Sequence, residues 1–210
     1  MRFGMVTESN GALQMRSSSL VLWFVGIASV VTVALRLLPH APNFTPVGAL
    51  ALFSGAYLTG YRKFWVPVIV MGVSDFFIGF YDYKLMLVVY SSFLVLVGLG
   101  SWLRGRVSPW RVGLGTIYGA SCFFLLTNLA VWAFSSWYPH TLAGLFSAYT
   151  MGLPFFRMTL LGDLFYGAIF FGAYEFIKVA RLYRVGYTLP VRVISGTGDT
   201  ALLEKRFDNI

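Results

Sequence analysis

The stretch LPFFRMTLLGDLFY, residues 153–166, places an arginine and an aspartate inside a run that is otherwise apolar enough to cross a bilayer. A charge at the bilayer centre is costly, so ionisable residues within spans are paired, turned toward the bundle interior, or functional. Thr159, Asp163 and Tyr166 recur at i, i+4 and i+7, which is one stripe of a 3.6-residue helix. Gly162 and Gly167 thin the helix beside that stripe, so it is expected to face protein. Two expectations follow for Arg157 and Asp163: they are buried structural partners, or they line a ligand cavity.

The rest of the chain supports a membrane setting. Hydrophobic residues make up 58% of the 210 and charged ones 11%, with mean hydropathy +0.73, which excludes a soluble domain. This length accommodates about six spans of roughly 20 residues joined by short loops. The expected fold is all-α, an integral membrane bundle of six transmembrane helices. Residues 1–17 form a cytoplasmic segment, 18–180 the transmembrane domain, and 181–210 a cytoplasmic tail. The net charge of +8 is read as orientation signals flanking the spans. No nucleic-acid module is visible. The single cysteine, Cys122, excludes an intrachain disulfide and a cysteine metal cluster.

In order, helix 1 is expected over 18–38, and Pro39, Pro42 and Pro46 then forbid regular helix until about Thr45. Helix 2, 47–60, is short and so tilted or partly re-entrant. Helix 3, 64–80, carries Asp75 with Gly72 and Gly79 on its face. Helix 4, 85–103, is almost purely apolar and is expected to face lipid while packing the bundle. Helix 5, 112–134, brings Ser121 and Asn128 to one face. Residues 135–152 are too polar to span and read as a loop with a short interfacial helix, before helix 6 over 154–179.

With the N terminus inside, only Arg36, Lys84 and Arg157 of the 16 basic residues lie outside, so both termini are expected in the cytoplasm. Asp75, Asn128, Arg157, Asp163 and Arg36 then converge at the outer leaflet, beside the longer connections. The candidate substrate-binding residues are Arg36, His40, Asn43, Phe44, Asp75, Tyr81, Asn128, Trp137, His140, Arg157 and Asp163. Aromatic walls with a few converging polar groups suit a small molecule. Both histidines follow a proline, which would present them rigidly to a metal or a corrin cobalt. A loop histidine is more commonly solvated, and no metal or other cofactor is expected.

Five strings carry a resemblance: RLLPHAPNFTPVGALALFSGAY (36–57), SDFFIGFYDY (74–83), LLTNLAVW (125–132), YPHTLAGLFSAY (138–149) and GLPFFRMTLLGDLFY (152–166). Over residues 36–177 the chain resembles an uncharacterised family of small bacterial six-helix membrane proteins. That family is itself similar to the substrate-binding S components of energy-coupling factor (ECF) vitamin transporters. The resemblance implies an S-component-like bundle in the bacterial inner membrane that captures a vitamin or related micronutrient from outside. It also implies delivery to an ECF energising module, a transmembrane partner with two ATPases. S components commonly dock through an Ala-x-x-x-Ala pair in helix 1, whereas here Ala28 is followed by Thr32, and Ala51 with Gly55 is the nearest small-residue pair. Two other classes compete. An intramembrane enzyme would rest on Asp75 and Asp163 alone, since both histidines lie in loops and Gly119 to Cys122 echoes a rhomboid serine motif only weakly. A structural or accessory subunit would use every polar residue as interhelical glue. A cavity between the helices separates binding from glue.

Overall fold

The computed structural model describes residues 3–39, 41–184, 191–194 and 200–203, with side chains for 19–39 and 41–181. Six helices follow one another: α1 (Phe3–Leu37), α2 (Val47–Tyr57), α3 (Arg62–Ile78), α4 (Tyr83–Leu103), α5 (Pro109–Phe134) and α6 (Leu142–Arg184). Strands β1 (Val191–Ile194) and β2 (Thr200–Leu203) form a short antiparallel pair beyond them. Among the described residues, four segments are long and apolar enough to cross a membrane: Ser19–Leu37, Tyr83–Leu103, Pro109–Phe134 and Leu142–Arg181. The protein is a helical, multi-pass membrane protein. Helix α2, at 11 residues, and α3, at 17, fall below the roughly 20 residues that span hydrocarbon unaided.

The chain divides into two compact units, Met1–Phe171 and Gly172–Ile210. The second holds the last part of α6, where exposed Glu175 and Lys178 pair at 3.1 Å, and the strand pair. The core of the first unit is α2. Its sequence VGALALFSGAY has no polar face, and a helix apolar all round belongs in an interior. Ten of its eleven residues are buried, with α4, α3, α1 and α5 packed about it.

Two glycines set the closest crossing. A Cβ on Gly55 would lie 2.1 Å from the Val97 carbonyl oxygen, and one on Gly100 would lie 2.0 Å from that of Leu52, so α2 and α4 meet backbone to backbone. Gly115 of α5 similarly admits the Leu52 and Leu103 side chains, and Gly119 admits Leu96. Phe53 fills the opposite side against Phe24 and Phe171, with ring centroids 5.1 Å away in each case.

A buried helix exposes its unpaired terminal N–H and C=O groups to a medium that cannot solvate them. Both ends of α2 are served by charges from other helices. At the C-terminal end, Arg104, which follows α4, donates to the Gly55 and Leu58 carbonyls. At the N-terminal end, where Pro46 provides no side-chain cap, the Asp163 carboxylate of α6 accepts from the Ala49 N–H. It lies so close over Gly48 that a Cβ there would stand 2.3 Å from it. The signs match the helix dipole, negative at the N terminus and positive at the C terminus. One further orphan is handled alike. Pro67 within α3 lacks the N–H that would bond the Lys63 carbonyl, and the Ser54 hydroxyl of α2 donates to that carbonyl at 3.1 Å.

Several expected boundaries are corrected. Helix α1 begins at Phe3, since no proline interrupts residues 3–17. Helix α3 stops at Ile78, because Gly79 takes φ 112° and terminates it. Helix α4 turns a face carrying Ser92, Phe93, Leu96, Val97, Gly100 and Leu103 inward onto α2. The largest correction concerns 135–152, of which 142–152 is helical and continuous with the expected sixth helix through Pro154. The Thr141 hydroxyl accepts from the Gly144 N–H at 3.2 Å and so starts α6. Ser147 and Thr150, which made this stretch look too polar, donate back to the Ala143 and Phe146 carbonyls and so hide their polarity.

The α2–α4 contact yields a matched test. Gly100→Ala is expected to lower stability in detergent by about 1–3 kcal/mol or more, as overpacking does. Gly98→Ala, whose added Cβ meets nothing within 4 Å, is expected to be neutral or mildly stabilising. Thermal unfolding of the two variants side by side checks this, and equal midpoints would contradict the crossing.

Candidate functional site

Because α2 is only about 16 Å long at 1.5 Å per residue, it fills one end of the bundle and leaves space at the other. That space is a cavity of about 700 Å³, within the range of small-molecule sites. Arg36 and Leu37 line it from the end of α1, and Leu38, Pro39, Asn43 and Thr45 from the following connection. Val47 and Gly48 open α2 onto it. Met71 and Ile78 contribute from α3, Tyr81 from the next turn, and Val89, Phe93 and Leu96 from α4. Phe123 and Thr127 of α5, with Thr159 and Asp163 of α6, complete the wall.

Arg36 anchors the α1 and α3 walls. Its Nη2 meets Asp75 Oδ1 at 2.8 Å, while Nη1 donates to the Ser74 hydroxyl and the Met71 sulfur. The other oxygen of Asp75 accepts from the Tyr90 hydroxyl of α4 at 2.9 Å. Asp75, 2% exposed, is thus compensated by a guanidinium and a phenol, as a buried carboxylate must be. Tyr81 stands beside this network. Partial burial, with the Asp75 charge adding and Arg36 offsetting, pushes its phenol up to about 12, so it remains a neutral hydroxyl.

On the facing helices the polar groups are acceptors. The Thr127 and Thr159 hydroxyls donate to the Phe123 and Phe155 carbonyls of their own helices, at 2.8 and 3.0 Å, which leaves oxygen lone pairs for a ligand. Asp163 is 4% exposed and makes no ion pair among the described residues. Phe93 and Phe123, 5.0 Å apart between centroids, supply the aromatic faces.

Of the sequence candidates, Arg36, Asn43, Tyr81 and Asp163 line the cavity, and Asp75 adjoins it through Arg36. Asn43 adopts φ 63°, a left-handed turn that asparagine tolerates. Phe44 is displaced from the wall and holds the connection onto α6. It stacks on Phe165 and Tyr166 at 5.9 and 5.6 Å, and its backbone lies over Gly162. The stripe on α6 accordingly divides, Thr159 and Asp163 to the cavity and Tyr166 to packing.

Four further candidates lie away from the cavity. Asn128 sits in the α5–α6 seam, with its amide against Gly152 and its nitrogen donating to the Phe124 carbonyl at 2.9 Å. Trp137, 76% exposed, and His140, whose ring meets that of Trp132 at 5.8 Å, belong to the short turn before α6. The early start of α6 carries them clear of the cavity. Arg157 is exposed and has no ion pair among the described residues. His40 lies outside the described residues. Tyr90, Ser74, Met71, Thr45 and Thr127 are additions that the sequence reading missed. Ser74 precedes Asp75 and was the one with a visible signal; Tyr90 was hidden in a helix that reads as purely apolar. Among the described residues, no three of His, Cys, Asp and Glu gather to hold a metal ion.

Residues 15–186 match a family of unknown function, DUF6580, and the chain belongs to that family. No curated protein and no solved structure matches it.

The Arg36–Asp75 pair has a measurable signature. Removing either partner strands the other in low dielectric, so Asp75→Ala and Arg36→Met are each expected to cost about 3–5 kcal/mol in detergent. The double variant Arg36→Met with Asp75→Ala is expected to lose less than the sum of the singles, by about 1–3 kcal/mol. Strict additivity would show that the two side chains do not act as a pair.

Proposed function

We propose that this protein is the substrate-binding subunit of a nutrient uptake system, similar to the S components of ECF vitamin transporters. The observation carrying this reading is the cavity. A subunit whose polar residues served only as interhelical glue would have them meet and fill the space, as Asn128 and Gly152 do. Arg36, Tyr81, Thr127, Thr159 and Asp163 instead border about 700 Å³ between the helices. The ligand is a vitamin or related micronutrient, and the reading assigns the chain no bond-breaking step.

In this reading the bundle crosses the bacterial inner membrane six times with both termini cytoplasmic. The second crossing is made by α2 and the proline-rich segment before it. Irregular backbone at membrane depth is tolerated where protein covers it or where it lines a cavity, and broken helices of this kind border substrate sites in transporters. The asymmetry of basic residues supports the orientation, which puts the cavity in the outer half. Energy would come from a partner module. Ala28, Thr32, Ala51 and Gly55 are all buried within the bundle, so a docking surface would use other residues.

Two measurements test the proposal. Mass spectrometry of the detergent-purified protein is expected to find a copurifying small molecule that Thr127→Trp, which fills the cavity, expels and the exposed Trp137→Ala retains. A saturating vitamin at 100 times its Kd is expected to stabilise by about 2.7 kcal/mol. Absence of any bound molecule, together with no thermal shift across a vitamin panel, would sink the reading. For orientation, an impermeant thiol reagent applied outside is expected to label Ser136→Cys and spare Ser108→Cys in a Cys122→Ser background. The reverse pattern would invert the topology.

A further inference from the structure

We infer that the ligand carries a protonated nitrogen group, an amine or amidine on a compact apolar or aromatic body, and that Asp163 is its counter-charge. This rests on the cavity being the binding site. Two carboxylates stand at the site and one guanidinium. Arg36 is spent on Asp75, with both terminal nitrogens already donating to Asp75, Ser74 and Met71. Asp163 makes no ion pair among the described residues, although it is 4% exposed inside a membrane bundle. Its protein contact is the first turn of α2. A helix N terminus amounts to roughly half a positive charge, too little to offset a buried carboxylate, so Asp163 in its ionised form needs a cation from the ligand.

The neighbouring groups favour the same chemistry independently. Thr127 and Thr159 have committed their hydrogens to their own helices, so each offers the cavity an acceptor oxygen. Phe93 and Phe123 line the same space, and the faces of such rings attract cations. A carboxylate, two acceptor hydroxyls and two rings around one cavity complement a donor-rich cation. An anionic ligand would find no uncommitted cationic side chain among the described lining residues.

The test uses the full-length protein in detergent with three probes on one scaffold: tryptamine, tryptophol and indole-3-propionate. Binding is read by thermal shift and by calorimetry. Tryptamine is expected to bind at least tenfold more tightly than the alcohol, and the carboxylate not measurably. Asp163→Asn is expected to weaken tryptamine tenfold or more, and Thr159→Val severalfold, while Glu175→Gln leaves it unchanged. Should Asp163→Asn fail to fold through loss of the α2 cap, the order of the three probes on the wild type and the Thr159→Val effect still decide. Equal binding of amine and alcohol, or an unchanged affinity in a folded Asp163→Asn, overturns the inference. Tighter binding of the carboxylate that Thr127→Trp abolishes overturns the inference and leaves the cavity reading standing. No binding by any probe overturns the inference, and if no copurifying molecule is expelled by Thr127→Trp either, the cavity reading falls with it.

Discussion

Helix α2 is a half-length helix buried in a membrane bundle, and the rest of the first unit is arranged to make that tolerable. Its apolar sides are satisfied by close packing, to the point of backbone contact at Gly55 and Gly100. Its two ends are the difficulty, since each leaves several backbone groups without a partner inside the bundle. Asp163 and Arg104 meet that demand from outside the helix, each with the sign the dipole favours. The same economy appears where Ser54 takes up the carbonyl that Pro67 strands in α3. These polar contacts are few, and each closes a specific backbone deficit.

The cavity follows from the same constraint. A full-length second helix would occupy the space that Val47, Gly48 and the preceding connection now leave open. The prolines at 39, 42 and 46 keep that connection out of helical conformation, and Gly162 lets it rest against α6. Arg36 then ties α1 to α3, and Asp75 ties α3 to Tyr90 of α4, so three walls are held by one hydrogen-bonded group.

Much of this was legible in the sequence. The prolines foretold a broken second helix, and the glycine and hydroxyl spacing on α6 foretold a protein-facing stripe. The cost of a lone charge argued for partners to the ionisable residues within the spans, and among the described residues Arg36 and Asp75 form an ion pair while Arg157 and Asp163 form none. What stayed hidden depends on where polarity is spent. Ser147 and Thr150 read as loop-forming until their hydroxyls are seen folded back on their own helix, so the start of α6 was misplaced by about three turns. Asn128 carries the chemistry of a binding residue, yet the missing side chain of Gly152 gives it a structural berth that no spacing within α5 reveals.

Asp163 is at once a wall of the cavity and the acceptor at the head of the core helix. The two roles cannot vary independently, because a change in what this side chain presents to the cavity would also unsettle the element on which α1, α3, α4 and α5 pack. Val89, Phe93, Phe123 and Thr127 carry no such burden, since none of them serves a helix end. Across a family built on this plan, the lining of the chamber would therefore diversify on the α4 and α5 side, while the α2 and α6 side stays fixed by the needs of folding.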